Sequence, residues 1–154
     1  MNLFKSVLIR TLKFLLFSTA LTPLIMTWSV IFPYIFGKVV FFRSIIEIAL
    51  ILFLIYLFYS YKNNWKLLFK NPLFIFTILF ILSLIISAIF AVNPYRAFWG
   101  TIDRGEGLFG MLHYFAFLVM ALFIFEKKDW LNFFKVYLVV GLILIFYAFL
   151  KKPP

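Results

Sequence analysis

The sequence predicts an all-α protein, a polytopic bundle of about five transmembrane helices with its N-terminus in the cytoplasm. Of the 154 residues, 66% are hydrophobic and only 13% are charged, a balance that a soluble domain of this size cannot bury in one core. The apolar residues form runs long enough to cross a hydrocarbon layer of roughly 30 Å, which needs about 20 helical residues. The basic residues fall in short clusters between these runs, as is typical of loops that meet lipid headgroups.

Five stretches are predicted as membrane spans: Leu12–Phe32, Ser44–Tyr61, Pro72–Val92, Leu108–Phe125 and Leu131–Leu150. The third is the clearest, because no charged residue occurs between Lys70 and Arg96. In lipid, the backbone polar groups of such a run are satisfied only within a helix. No internal repeat or low-complexity linker interrupts the sequence. We therefore treat residues 1–154 as a single transmembrane domain.

The first stretch is less regular, because Pro23 and several hydroxyl side chains interrupt its apolar character. Proline removes a helical hydrogen bond, and nearby hydroxyl groups can satisfy the backbone groups that it frees. This pattern favours a kinked span. The alternative is a secretory signal peptide, since basic residues precede the apolar run and small residues occur at 18–20. The apolar character continues well past Ala20, which favours the span.

The orientation is predicted from the basic residues of the short loops, which are more frequent on the cytoplasmic side. With the N-terminus inside, nine basic residues are cytoplasmic and six are external. The cytoplasmic set is Lys5, Arg10, Lys13, Lys62, Lys66, Lys70, Lys127, Lys128 and Lys135, and the external set is Lys38, Arg43, Arg96, Arg104, Lys151 and Lys152.

Composition also narrows the range of ligands and cofactors that this chain can bind. The net charge of +10 does not indicate nucleic acid, because the basic residues do not line one polar face; membrane lipid is the expected counter-charge. The absence of cysteine and the single histidine, His113, exclude thiolate or multi-histidine metal sites. No phosphate-binding glycine loop, zinc motif or nucleophile elbow is present, so we predict no metal and no cofactor.

The external segment Asn93–Gly107, NPYRAFWGTIDRGEG, is where polar chemistry is concentrated. Arg96 and Arg104 carry guanidinium groups, which suit bidentate phosphate binding, and the neighbouring glycines allow backbone amides to approach an anion. A lipid-linked phosphate or pyrophosphate is therefore a reasonable ligand. The alternative is an interfacial loop in which both arginines pair with Asp103, Glu106 and lipid phosphates.

Two ionisable residues fall inside predicted spans. Glu47 follows Arg43 by one helical turn, so it is either a functional intramembrane carboxylate or half of a structural ion pair with Arg43. His113 is either a general base near the arginine-bearing segment or a hydrogen-bonding residue between helices. In the third span, Ser83, Ser87 and Ala91 recur every four residues, which predicts a small-residue face for close helix packing.

The run SAIFAVNPYRAFWGTIDRGEGLFGMLHYFAFLVM and the following KKDW turn resemble the N-terminal half of bacterial O-antigen ligase and polymerase family membrane proteins. The shared features are a serine-containing helix ending near Asn93-Pro94, then Arg96, Phe98-Trp99-Gly100, Arg104 and Glu106-Gly107-Leu108. The resemblance covers about Ser83–Trp130.

This resemblance implies a metal-independent enzyme of cell-envelope and lipopolysaccharide biosynthesis. Such an enzyme takes a glycan from an undecaprenyl-pyrophosphate carrier at the outer face of the bacterial inner membrane and transfers it to an acceptor. By analogy, Arg96 and Arg104 would bind the pyrophosphate and neutralise charge on the leaving group. Glu106 and His113 are accessory candidates, and no catalytic residue is assigned.

The sequence departs from the family in one respect. Family members have more spans and a large external loop in their second half that carries an essential arginine and histidine, for which this chain has no counterpart. We therefore expect it to be a fragment of a longer protein or a short relative, inactive alone, and His113 does not replace the family histidine. The alternative is a non-enzymatic membrane subunit, a scaffold or half-transporter completed by a partner.

Overall fold

The computed structural model describes residues 3–25, 35–59, 69–101 and 106–150. Within these ranges the chain is helical and contains no strand, which confirms the predicted all-α class. The helices are α1 (Leu3–Ser18), a 3₁₀ helix (Thr19–Leu24), α2 (Phe36–Tyr59), α3 (Pro72–Ile89), α4 (Pro94–Trp99), α5 (Leu108–Ile124) and α6 (Lys127–Leu150).

The lengths and apolar character of these helices identify a membrane protein. Leu3–Leu24, α2 and α6 are each long and apolar enough to cross a bilayer, and two shorter apolar helices lie over Phe74–Ile89 and Leu108–Ile124. An apolar helix therefore occupies each of the five predicted stretches. The number of crossings and the cytoplasmic N-terminus stay predictions.

Several helix ends differ from the predicted spans. The α1 helix begins at Leu3, α2 at Phe36 and α6 at Lys127, all earlier than predicted, whereas α5 begins at the predicted Leu108. The early turns contain lysine and arginine residues, which form helices well although they lower hydropathy. Hydropathy locates the part of a helix that lies in lipid, whereas backbone hydrogen bonding locates its end. The predicted end of the first span lies outside the described residues.

The first helix changes from α to 3₁₀ geometry at Thr19, and Pro23 explains the position. A proline ring clashes with the carbonyl of the residue four positions earlier and cannot donate a hydrogen bond to it. The hydroxyls of Ser18 and Thr19 each donate to a backbone carbonyl one turn earlier, at 2.7 Å in both cases. The predicted irregularity at Pro23 is therefore present as a tightened turn.

The core is formed where α1, α2 and α5 pack against one another. On α1 and the 3₁₀ helix, buried residues recur every four positions, which places them on one helical face. The α2 and α5 helices contribute buried residues at spacings of one, three or four. The core residues of these helices are Leu8, Leu12, Leu16, Ala20, Ile46, Ala49, Phe53, Met120, Ala121 and Ile124, and Phe125 and Phe133 complete the cluster.

Phenylalanine rings join α6 to this core. The ring of Phe17 lies 5.3 Å from Phe125 and 5.8 Å from Phe133, and Phe117 lies 5.7 Å from Phe133, measured between centroids. These separations fall in the range in which aromatic pairs attract each other beyond simple burial. The abundant phenylalanine is thus used in part for helix packing.

A polar contact also fastens the first turn of α6. The Lys13 ammonium lies 2.7 Å from Oδ2 of Asp129 and 3.7 Å from Oε1 of Glu126. The same Asp129 oxygen accepts a 2.8 Å hydrogen bond from the backbone N–H of Glu126, so the side chain caps the first turn of α6. This contact brings α1 and the 126–129 turn to one end of the bundle.

The α3 helix lies at the edge of the bundle. It packs on α5 through buried Phe74 and Ile81, two turns apart on one face. Ser83 and Ser87 are exposed on the opposite face. The predicted small-residue stripe therefore does not mediate helix packing within the described residues, because the bulky face of α3 fits against α5.

Candidate functional site

The segment after α3 forms the short helix α4, and its start follows from the Asn93-Pro94 pair. The Asn93 side-chain oxygen accepts a 3.0 Å hydrogen bond from the backbone N–H of Arg96. Pro94 occupies the first helical position, where its missing N–H costs nothing. The chain turns at residues 90–93 on leaving α3, and α4 then begins because the asparagine is placed to satisfy an orphan N–H.

Two glycines hold the base of the loop that follows α4. Gly100 has a φ of 82°, a conformation that other residues adopt at a cost. A Cβ on Gly107 would lie 2.3 Å from the Gly100 nitrogen and 2.4 Å from the Phe98 carbonyl oxygen. The two backbones therefore touch, and glycine is needed at both positions. The role is loop closure, and the predicted use of glycine amides for an anion stays untested.

Phe109, in the first turn of α5, joins α4 to the bundle. Its ring lies 5.9 Å from Phe98 and 5.1 Å from Trp99, measured between centroids. The guanidinium carbon of Arg43 lies 5.1 Å from the Phe109 centroid, within cation–π range. His113 packs edge-on to the same ring at 4.6 Å. We call Arg43, Glu47, Phe98, Phe109 and His113 the loop-end cluster.

Glu47 and His113 meet across the α2–α5 contact, with His113 Nε2 3.2 Å from Glu47 Oε1. The sequence favoured either a functional carboxylate or an ion pair with Arg43 for Glu47, and the contact with His113 was not predicted. A histidine on the facing helix lies at the same depth, whereas Arg43 is directed to the aromatic ring of Phe109.

The imidazole ring of His113 is held on both of its nitrogen sides. Nδ1 lies 2.7 Å from the carbonyl oxygen of Phe109, which can only accept, so Nδ1 is the donor in this hydrogen bond. Nε2 faces Oε1 of Glu47, so the ring bridges the backbone of α5 and the carboxyl group of α2. His113 is 8% exposed, whereas the Glu47 side chain is 60% exposed, so the contact lies where the buried helix interface meets the surface of the bundle.

The crevice beside Arg43 is small. Arg43 of α2 and Glu106–Gly107 line it, and its volume is about 20 Å³, which is room for about one water molecule. An anion the size of pyrophosphate therefore does not fit inside this crevice.

The predicted site residues have different surroundings. Arg96 is exposed on α4, and among the described residues no ion pair involves its guanidinium group. Glu106 is exposed at the small crevice, and His113 is buried in the loop-end cluster. Arg104, with Asp103 and Gly105, lies outside the described residues, so the structure does not test whether the two arginines meet.

Sequence reasoning missed the joining role of Phe109 and its contact with Arg43. A signal was available, since Arg43 and Phe109 both lie near the N-terminal ends of α2 and α5, which are the second and fourth predicted spans and therefore run in the same direction. Hydropathy gives depth only to within a turn or two, however, and it does not give the rotation of one helix relative to its neighbour. The contact therefore required the structure.

Comparisons with protein-family models, with curated proteins and with solved structures returned no match to this chain.

Proposed function

We propose that this chain is the membrane portion of an O-antigen ligase-like glycan transferase at the outer face of the bacterial inner membrane. In this proposal Arg96 and Arg104 bind the pyrophosphate of an undecaprenyl-linked glycan. The observation that carries it is the Arg96 guanidinium, which is exposed on a capped helix, makes no ion pair with a described residue and is held against the bundle by aromatic contacts.

The placement of Arg96 suits an interfacial phosphate. Phe98 and Trp99 anchor one side of α4 on Phe109, and Tyr95, 75% exposed, lies beside the arginine on the open side. Aromatic side chains of this kind favour the headgroup level of a bilayer. A guanidinium group at that level can bind a phosphate with two parallel hydrogen bonds. Because the helix is already capped, little ordering is required on binding.

Arginine at this position would assist transfer by electrostatics. When the glycan leaves, negative charge grows on the pyrophosphate, and a guanidinium already in place stabilises it. The resemblance assigns the remaining chemistry to a loop that has no counterpart in these residues. We therefore expect the 154 residues to bind the carrier without completing the transfer.

The test is binding of undecaprenyl pyrophosphate to the purified chain in nanodiscs. We expect Arg96→Ala to weaken binding about tenfold, as for the loss of one charge-assisted contact. The affinity of Arg96→Lys should lie between those of the wild type and Arg96→Ala, because lysine keeps the charge and loses the bidentate geometry. Lys70→Ala, which changes an exposed lysine before α3, is the matched control. Wild-type affinity in Arg96→Ala would remove the phosphate role.

A second candidate is a non-enzymatic subunit of a larger membrane assembly, and the outward-facing Ser83 and Ser87 favour it. Small residues on an exposed helical face allow another helix to approach closely. The Ser83→Leu, Ser87→Leu double variant should then lose a stoichiometric membrane partner on co-purification. If the same variant keeps its partners, or if none co-purifies with the wild type, this candidate fails.

A further inference from the structure

A cavity of about 460 Å³ opens between the 3₁₀ helix, α2, α5 and α6. This volume lies within the range of roughly 300–1,000 Å³ that is typical of small-molecule sites. The cavity is distinct from the exposed face of α4, so a ligand here does not depend on the proposed glycan transfer.

The walls of the cavity are aromatic. Phe42 of α2, Phe117 of α5 and Phe133 of α6 supply three rings from three helices. Phenylalanine walls have no hydrogen-bonding group and favour hydrocarbon over water. The expected content of the cavity is therefore a chain of methylene groups.

One charged residue lines the same cavity. Lys38, in the first turn of α2, is half-buried, and no ion pair joins it to any residue that the structure describes. The lining residues include no aspartate or glutamate, and their hydroxyl groups belong to Thr19, Thr22, Tyr114 and Tyr137. The site thus combines three phenylalanine rings with a positive charge that has no counter-ion among the described residues.

We propose that this cavity binds an acyl chain of an anionic membrane phospholipid, whose headgroup phosphate pairs with the Lys38 ammonium. A soluble anion would match the charge but not the phenyl walls, and a zwitterionic lipid would fill the walls with a weaker counter-charge. Lysine near an anionic membrane surface attracts such lipids, and its flexible stem allows the ammonium to reach the headgroup level.

The experiment uses phosphatidylglycerol with a photoreactive group at the end of one acyl chain, in nanodiscs that contain the full chain. Phosphatidylcholine with the same group is the comparison lipid. Labelled positions are mapped by mass spectrometry. We expect phosphatidylglycerol to label the cavity rings about fivefold more than phosphatidylcholine, which corresponds to roughly 1 kcal/mol for one lysine near the surface. Phe76 and Phe80, exposed on α3, should be labelled equally by both lipids.

Two substitutions of Lys38 test whether its charge causes the preference for phosphatidylglycerol. Lys38→Gln should abolish the preference for phosphatidylglycerol at the cavity, and Lys38→Arg should keep it. Lys70→Gln, in the turn before α3, should leave the preference unchanged. Equal labelling of the cavity by both lipids, absence of cavity labelling, or a preference that survives Lys38→Gln would each overturn the proposal.

Discussion

The contact between His113 and Glu47 couples α2 to α5, and a double-mutant cycle measures its strength. We consider His113→Leu, Glu47→Leu and the double variant. Each single change leaves one polar group inside the helix contact without its partner, whereas the double change removes both groups together. The double variant should therefore be more stable than the sum of the single effects predicts.

The size of the coupling follows from the geometry. The two side chains meet at 3.2 Å, with the histidine side chain 9% and the glutamate side chain 60% exposed. Interhelical polar contacts in membrane proteins average about 0.6 kcal/mol and reach about 1.7 kcal/mol. Because both groups are ionisable and the histidine is buried, we place this contact somewhat above the average. We expect about 1 kcal/mol, or roughly fivefold in the unfolding equilibrium.

Unfolding by sodium dodecyl sulfate in mixed micelles, followed by circular dichroism, supplies the four free energies. The control cycle pairs Glu47→Leu with Lys135→Leu, an exposed residue on α6, and these changes should add within about 0.5 kcal/mol. A coupling below about 0.3 kcal/mol for His113 and Glu47 would refute the contact. Because His113 is the only histidine, its ¹⁵N spectrum is a second test, and an unprotonated Nδ1 would contradict the bond to Phe109.

Two further predictions concern the ends of the bundle. Gly107→Ala places a Cβ 2.3 Å from the Gly100 nitrogen, so amide hydrogen exchange in α4 should accelerate, whereas Gly141→Ala, with nothing within 4 Å, should leave it unchanged; equal exchange in both variants would mean that the loop closes differently. Asp129→Ala removes both the Lys13 contact and the cap on Glu126 N–H, and it should lower the free energy of unfolding by about 1–2 kcal/mol. Lys13→Met removes the ion pair and keeps the cap, so it should lower the free energy of unfolding by less than Asp129→Ala does. A larger loss for Lys13→Met would contradict the capping role of Asp129.

The sequence was sufficient for the class of protein and for the positions of the apolar helices. Hydrophobic runs of this length have few alternatives, because lipid leaves no partner for a backbone outside a helix. The predicted irregularity at Pro23 was also local, since the clash involves only the residue four positions earlier. The first residue of α5, Leu108, follows Gly107 directly and was predicted correctly.

The tertiary structure decided which helical faces meet. Glu47 was expected to be either a functional carboxylate or the partner of Arg43 on its own helix, and its contact with His113 of another helix was not predicted. The Ser83 and Ser87 face was expected inside a helix contact, and it lies outside. In both cases spacing along one helix gives the face that a residue occupies, whereas the neighbour of that face depends on how bulky side chains from several helices fit together.

The sequence by itself therefore determined that this chain is built from apolar helices and where polar residues interrupt them. Only the tertiary structure decided that α1, α2 and α5 form the core and that Phe109 holds α4. It also decided that Lys38 lines a cavity together with three phenylalanine rings. Helix formation is a local consequence of backbone hydrogen bonding in lipid. Contacts between helices depend on residues far apart in the chain, and the hydrophobic periodicity of a single segment does not predict them.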